Sequence, residues 1–302
     1  MKRFLAVLAI VALVFSSTAH ASAGFGPPQM LDTTWVVAPF ATPSAPAEGV
    51  SVDGAGRVYV GAGLAGIFRF DIRGAGGLWS TAAGFAQATL PDGRTFAPSR
   101  DVLSNSYIWN VAPDGSYAPL VSASPGEGWS YSTVSASGKL YVNIWAGQGQ
   151  GIYAVDTNTG ATTPIVTGGP GPGGSGVFSS MTTIGEDVYV VGLGTINGIY
   201  EVSGSSLVLR GSMPQGFVGL CAGPDAFYVT SGDATGGQVW RVAGNVATMF
   251  ARYFGNTVSI AYDPPRNRFY VQDSTDPKVW VISRAPTAAR SVSIGRIKAL
   301  YK

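Results

Sequence analysis

Acids and amides in glycine-rich stretches are the residues of this sequence whose chemistry stands out. Against a single arginine, Arg100, these stretches carry the acids and amides Glu48, Asp101, Glu127, Gln148, Asp233, Asn256 and Asp273. Carboxylate and amide oxygens suit a hard cation such as calcium, which takes six to eight oxygen ligands that can include backbone carbonyls and waters. The structural alternative is that such residues form turns by accepting hydrogen bonds from nearby backbone N–H groups. Both interpretations stay open for each residue.

Histidine and cysteine chemistry is largely excluded. The single histidine, His20, lies in an N-terminal segment that we expect to be removed. The remaining chain then cannot form a Ser-His-Asp or Cys-His centre or a His-ligated zinc site. The single cysteine, Cys221, lies in "GLCAGPDAFYV" and cannot form an internal disulfide. With no histidine to activate it, Cys221 is predicted to be a buried, unreactive thiol.

The first 23 residues, "MKRFLAVLAIVALVFSSTAHASA", have the layout of a signal peptide: a basic start, an apolar stretch and small residues before a cut after Ala21 or Ala23. We therefore expect a secreted or periplasmic protein with one domain over 24–302. Removing Lys2 and Arg3 leaves 17 basic and 17 acidic residues. A neutral surface argues against nucleic acid or an anionic membrane as a partner. We expect a monomer whose partner is a small molecule, a glycan or a protein.

Residues 61–66, "GAGLAG", match the Gly-x-Gly-x-x-Gly pattern of a dinucleotide-binding loop. In that fold the last glycine opens a helix, whose N-terminus holds the pyrophosphate. Here "IFRF" follows, and its alternating aromatic and β-branched residues indicate a strand. The segment is therefore predicted to connect two strands, and the match to a phosphate loop is incidental.

Two short aromatic motifs recur along the whole chain. The first gives "IFRF", "IWNV", "IYAV", "IYEV", "VWRV" and "VWVI", with aromatic residues 41, 44, 47, 40 and 40 positions apart. The second stands upstream of each and gives "RVYV", "RTFA", "KLYV", "DVYV", "AFYV" and "RFYV". A tight turn and a run of small residues precede each of these. Together with a fourth strand after most of the units, this predicts an all-β fold, a six-bladed β-propeller of four-stranded antiparallel blades.

A propeller ring must be closed by one blade that uses both ends of the chain. The segment "TTWVVAPFA" at 33–41 is predicted to be the outer strand of the blade that begins at Thr257, and the tail "RSVSIGRI" is its rival. Blade two, at 84–121, fits the repeat worst because Pro91 and Pro98 lie close to its strands.

The repeats place the polar candidates at one end of the ring. Loops between strands two and three and loops between blades meet there, over the central channel, where a rigid scaffold can hold a ligand site. We therefore expect Glu48, Asp233, Asn256 and Asp273 to be metal ligands. We expect further ligand contacts from the residues Arg100, Asp101, Glu127, Trp129, Trp145 and Gln148. The two tryptophans could stack on a carbohydrate or pack between blades.

The stretch "AEGVSVDGAGRVYV" at 47–60 resembles the opening of gluconolactonase and SMP-30-like propellers, and the repeat as a whole resembles NHL-type six-bladed propellers. The resemblance implies that Glu48 binds a divalent metal. Asn256, in "NTVSIAYDP", is similar to an Asn-Gly segment of that family, with Thr257 in place of the glycine. No residue of this sequence matches the aspartate that serves those lactonases as base and ligand.

Two functions of different classes follow from these observations. The leading hypothesis is a non-catalytic propeller that binds a ligand or protein over its central channel and requires no cofactor. The alternative is a calcium-dependent, gluconolactonase-like hydrolase. Because propellers serve as both scaffolds and enzymes, the fold alone does not choose between them.

Overall fold

The computed structural model describes residues 27–99, 106–122, 128–144, 149–170, 176–193, 197–213, 218–232 and 236–286. In these ranges the regular structure is strands, with a single 3₁₀ turn at Pro264–Arg266. The strands form six antiparallel sheets arranged as the blades of a ring. The prediction of an all-β, six-bladed propeller is confirmed. Within the same ranges, no helix has the length and apolar character needed to cross a membrane.

The N-terminal segment provides β1 (Gln29–Met30) and β2 (Trp35–Ala41), which join the last two blades. From the innermost strand outwards, the first three blades consist of β3 (Gly49–Val52), β4 (Val58–Gly61), β5 (Ile67–Phe70) and β6 (Gly76–Ser80); β7 (Ala88–Thr89), β8 (Thr95–Pro98), β9 (Tyr107–Val111) and β10 (Tyr117–Ser122); and β11 (Trp129–Val134), β12 (Leu140–Ile144), β13 (Gly151–Val155) and β14 (Thr162–Thr167).

The other three blades have the same order. They consist of β15 (Val177–Ile184), β16 (Asp187–Leu193), β17 (Gly198–Ser203) and β18 (Ser206–Ser212); β19 (Gly219–Ala222), β20 (Phe227–Ser231), β21 (Gly237–Ala243) and β22 (Val246–Phe254); and β23 (Thr257–Asp263), β24 (Arg268–Asp273) and β25 (Lys278–Arg284), with β2 outermost.

The N-terminal strand closes the ring. β2 pairs antiparallel with β25, from Trp35 opposite Arg284 to Ala41 opposite Val279, and so becomes the outer strand of blade six. This confirms the prediction for 33–41, while the rival segment in the tail lies outside the described residues. β1 adds a fifth strand to blade five by pairing with β22, which the sequence analysis did not predict.

The recurring aromatic residues form the packing between blades. Tyr59, Phe96 and Tyr270, from the second strands of three different blades, are fully buried. Tyr270 of blade six belongs to a cluster with Val60 and Phe68 of blade one, so the cluster spans the ring closure. Burying each such side chain contributes roughly 1.5–3 kcal/mol, which explains why the aromatic residues recur in register.

The small polar residues of the innermost strands join neighbouring blades. Ser259 Oγ of β23 accepts a hydrogen bond from the Val50 N–H of β3, at 3.1 Å. Ser180 Oγ of β15 accepts one from the Leu220 N–H of β19, at 3.0 Å. These hydroxyls satisfy backbone groups that have no strand partner on the channel side, so the serines of the innermost strands have a structural role.

The two irregular segments behave as their sequences predict. "GAGLAG" leads from the end of β4 to the start of β5, and Ala62 N–H bonds to the Gly66 carbonyl across the turn. No helix follows it, so it is a strand connection. Blade two has the shortest inner strand, because β7 comprises only Ala88–Thr89, and Pro98 ends β8.

Candidate functional site

The candidate site lies at the end of the ring where the innermost strands begin, which we call the loop end. Glu48 immediately precedes β3, Asn256 immediately precedes β23, and Asp273 is the last residue of β24. The opposite end carries the tight turns between the first and second strands, and we call it the turn end. Blades six and one are neighbours in the ring, so these three residues belong to adjacent blades.

Glu48 is held in place by the backbone of blade one. It is half-buried, and its N–H donates a hydrogen bond to the Gly61 carbonyl at 2.8 Å. Gly49, which follows Glu48, and Gly61, which pairs with it, cannot carry a side chain. A Cβ at either position would overlap the carbonyl oxygen of Phe85 in the next blade. The glycines therefore allow blade two to pack closely under Glu48, which fixes the position of its Cα at the loop end.

Asp273 is a buried acid whose carboxylate is used by the backbone. Asp273 is only 3% exposed. Oδ2 accepts from the Gly255 N–H at 2.7 Å, and Oδ1 accepts from the Asn256 and Thr275 N–H groups, both at 3.0 Å. These bonds join the end of β24 to the chain entering β23. The Asp273 carboxylate therefore serves as a hydrogen-bond acceptor for the backbone, as the turn-forming alternative predicts.

Asn256 is fixed by the same arrangement. Its Nδ2 donates to Ser274 Oγ at 3.1 Å, and its carbonyl accepts from the Ser274 N–H at 2.9 Å. Its Oδ1 lies against Gly232 of blade five, where a Cβ would overlap it. Asn256 thus keeps a fixed side-chain orientation between blades five and six, with an amide oxygen whose chemistry suits a hard cation.

Trp129 lies in the core instead of on the open surface. It is 3% exposed, clusters with Ala88 and Phe96 of blade two, and meets the Tyr153 ring edge-to-face with 6.0 Å between ring centroids. This is the blade-packing alternative for Trp129, because a ligand cannot stack on a ring that neighbouring blades already cover.

Six of the ten candidates lie outside the described residues, namely Arg100, Asp101, Glu127, Trp145, Gln148 and Asp233. In the ranges that the structure describes, no three His, Cys, Asp or Glu side chains are grouped closely enough to hold a metal ion. Of the four predicted metal ligands, Glu48 and Asn256 carry oxygens of suitable chemistry, whereas the oxygens of Asp273 are used by three amides.

Cys221 is buried, and burial raises the pKa of its thiol, in agreement with the unreactive role predicted for it.

A polar position in the second strands was missed by the sequence analysis. Two residues after the recurring aromatic stand Asn143, Thr230 and Gln272 in blades three, five and six, and all three are buried. Asn143 Oδ1 accepts from the Tyr131 N–H at 2.7 Å. Neither amide atom of Gln272 has a hydrogen-bond partner among the described residues. Aligning the second-strand motifs one residue further would have revealed this position.

Comparison with known proteins agrees with this architecture. No protein-family model matches the chain, and no curated protein sequence does. Among solved structures, it resembles a gluconolactonase from Xanthomonas campestris, with a TM-score of 0.68 and 12% identity over 86% of this chain and 95% of that one. The chain therefore shares the six-bladed β-propeller fold of this gluconolactonase.

Two further structures are similar over most of their length. The PQQ domain of pyranose dehydrogenase from Coprinopsis cinerea matches with a TM-score of 0.65 and 11% identity, over 85% of this chain and 97% of that one. An auxiliary nutrient binding protein from Bacteroides thetaiotaomicron matches with a TM-score of 0.62 and 12% identity, over 82% of this chain and 76% of that one. At such low identity the likeness is one of fold.

Proposed function

We propose that this propeller is an enzyme that hydrolyses a cyclic ester such as a sugar lactone at its loop end, with Glu48 as the essential carboxylate. The observation that carries the proposal is the placement of Glu48, a half-buried acid directly before the first innermost strand. The likeness to a gluconolactonase over 95% of that protein supports the choice of a lactone. The likeness to the gluconolactonase and to the pyranose dehydrogenase domain favours an enzyme over the non-catalytic binding module, which was the leading sequence-based hypothesis.

The described donors suit a calcium ion in their chemistry, since Glu48 offers carboxylate oxygens and Asn256 an amide oxygen. Waters and backbone carbonyls would complete the coordination. When bound, such an ion polarises an ester carbonyl and lowers the pKa of a bound water. Glu48 would hold the reactants in position at the mouth of the channel. Asp273 contributes by fixing the backbone of Asn256, so we assign it a positioning role.

Hydrolysis of a lactone by the mature chain beginning at Gly24 tests the proposal. The turnover of glucono-δ-lactone is measured through the release of acid above the spontaneous rate. It is measured first after the metal is removed and again after calcium is restored. We expect calcium-dependent turnover in the wild type and a loss of at least about 100-fold in Glu48→Gln, because removing a group that binds the reactants costs roughly 3 kcal/mol or more.

Glu201→Gln is the matched control for this substitution. Glu201 lies in β17, where its carboxylate pairs with Arg210 at 2.6 Å, away from the loop end. We expect its turnover to stay within twofold of the wild type. Wild-type protein without turnover at any calcium concentration, or a fully active Glu48→Gln variant, would refute the hydrolase.

Non-catalytic binding of a small molecule, glycan or protein is the second candidate. Two observations favour it: the carboxylate of Asp273 is already used by backbone amides, and an auxiliary nutrient binding protein shares the fold. A glycan array and a pull-down from secreted proteins, both with wild-type protein and Glu48→Gln, test this candidate. Binding that depends on Glu48 without any turnover would support it over the hydrolase.

A further inference from the structure

An open groove with a mixed polar and apolar lining lies at the turn end, away from the candidate site. It has a volume of about 760 Å³ and is formed by turns of blades two, three and four. Hydroxyl, amide and charged side chains line it, among them those of Thr89, Asp92, Arg94, Ser135, Asn158 and Thr183. A second hollow of about 300 Å³ adjoins it and shares Arg94 as a lining residue. Arg94 therefore stands between two open spaces.

The equivalent arginine of blade one, Arg57, has a carboxylate partner. Its Nε bonds to Asp53 Oδ2 at 2.6 Å, and the Tyr59 hydroxyl donates to the same oxygen at 3.0 Å. Arg57 and Arg94 both stand two residues before the second-strand aromatic. Their carbonyls accept the same backbone hydrogen bond, from Asp53 N–H at 3.1 Å in blade one and from Leu90 N–H at 2.8 Å in blade two. The two arginines thus occupy matching places in their blades.

Blade two keeps the arginine but has lost both of its partners. Leu90 stands where blade one has Asp53, and Phe96 stands where it has Tyr59. The Arg94 guanidinium carbon lies 5.4 Å from the centre of the Phe96 ring, and its buried Nε has no hydrogen-bond partner among the described residues. A charged donor left without a partner away from water is costly, and guanidinium groups bind carboxylates well.

The acids near the groove are held by their own turns. Asp92 Oδ1 accepts from the Arg94 backbone N–H at 2.9 Å, and Glu186 accepts from the Ser137 N–H at 2.7 Å and from its hydroxyl at 2.8 Å. Neither forms an ion pair with Arg94 among the described residues. Their negative charges repel a dianion such as phosphate more strongly than they repel a single carboxylate, so the groove favours a carboxylate over phosphate.

We propose that this groove binds a small polyhydroxylated carboxylic acid, with Arg94 holding the carboxylate. The side-chain amide of Asn158 and the hydroxyl oxygen of Thr183, whose hydrogen is donated to the Val134 carbonyl at 2.7 Å, provide partners for the hydroxyls of the ligand. The site is at the opposite end of the ring from Glu48, and it does not depend on the proposed hydrolase activity.

Titration of the mature chain with D-galacturonate, D-galactose and acetate tests the proposal by calorimetry. D-Galacturonate carries both the carboxylate and the hydroxyls, whereas the other two probes each carry one of these features. We expect D-galacturonate to bind with the highest affinity, and Arg94→Gln to weaken it by 10-fold or more. Because the Arg94 Nε has no hydrogen-bond partner among the described residues, the Arg94→Gln variant should fold normally by circular dichroism.

Leu90→Asp tests the same site without removing the arginine. It restores the acid of blade one at the matching place, so the new carboxylate should occupy the guanidinium and abolish D-galacturonate binding. Arg57→Gln is the matched control, because its guanidinium is already paired with Asp53, and it should bind D-galacturonate like the wild type.

Three outcomes would overturn the proposal. They are no binding of D-galacturonate to the wild type, equal binding by Arg94→Gln, and tighter binding of inorganic phosphate than of D-galacturonate. If Leu90→Asp does not fold, Arg94→Gln alone decides. Glu48→Gln should bind D-galacturonate normally at this site, which separates the groove from the loop end.

Discussion

At the scale of single residues, the structure shows which acids hold the backbone in place. Asp53 accepts from Ala55 and Arg57 N–H groups, both at 2.9 Å, besides the Arg57 side chain. Asp273 accepts from three amides. Glu48 stands directly at the start of an innermost strand and is half-buried. Sequence identifies all three as acids near glycines, but only the folded backbone shows which N–H groups reach them.

Asp273→Asn should therefore destabilise the fold. An asparagine keeps one acceptor oxygen but presents an NH₂ group to amide donors, so at least one buried N–H loses its charged partner. We expect the free energy of unfolding to fall by about 2–3 kcal/mol, measured by urea denaturation. Asp71→Asn is the control, because Asp71 caps an exposed turn in blade one, and it should cost under about 1 kcal/mol. Equal stability of the two variants would contradict the backbone role of Asp273.

Tyr59 should make the fold sensitive to alkaline pH. Burial, together with the nearby charge of Asp53, raises the pKa of Tyr59 from 10.0 to about 12. A raised pKa means that the contribution of Tyr59 to stability is present in full below about pH 10 and is lost as the pH rises through 12. We expect urea midpoints to fall over this range, and to fall less steeply in Tyr59→Phe. Tyr117→Phe, at a ring that is 43% exposed, should leave the slope unchanged.

At the scale of secondary-structure elements, the N-terminal strand carries the closure of the ring. Trp35 in β2 is 4% exposed and packs against Phe250 of blade five and Phe269 of blade six, each with 5.5 Å between ring centroids. The Arg284 guanidinium carbon lies 4.2 Å from the centre of the Trp35 ring. One side chain of the closing strand thus joins the last two blades.

Trp35→Ala should destabilise the protein by about 3–5 kcal/mol, as expected for the loss of a buried aromatic side chain. Val36→Ala is the control in the same strand, because Val36 is 40% exposed, and it should cost under about 1 kcal/mol. Chemical denaturation measured by tryptophan fluorescence and circular dichroism checks both values. A small effect of Trp35→Ala would mean that β2 docks mainly through its backbone pairing with β25.

Most of these elements could be predicted from the sequence, since the aromatic motifs recur at nearly constant spacing and only stacked blades explain that period. The closing strand was predictable because a ring needs one. β1 was not predictable, because Gln29 and Met30 have no strand pattern of their own. Their pairing depends on the outer edge of β22, which lies more than 200 residues away in the sequence. The burial of Trp129 also depends on how blades two and three pack, which the sequence of one blade does not specify.

At the scale of the whole molecule, the ring holds together without a disulfide through side chains shared between blades. Cys221 of the innermost strand of blade five lies in the same cluster as Trp35, Phe250 and Phe269. The innermost strands are joined by serine hydroxyls, such as Ser259 to Val50 across the closure between blades six and one. Exposure of Cys221 therefore requires that the packing of blades five and six opens, so this thiol reports on the integrity of the ring.

Thiol labelling under native conditions should measure that opening directly. Cys221 is 5% exposed and burial raises the pKa of its thiol, so the folded protein should react with an aromatic disulfide reagent only through a transiently opened state. We expect Trp35→Ala to speed labelling by at least about 100-fold, matching a loss of about 3 kcal/mol, and Val36→Ala to change it by less than about fivefold. Equal rates in the wild type and Trp35→Ala would show that blade five opens without release of the N-terminal strand. The ring would then be a set of independently opening blades, and its closure by β2 would stabilise blade six alone.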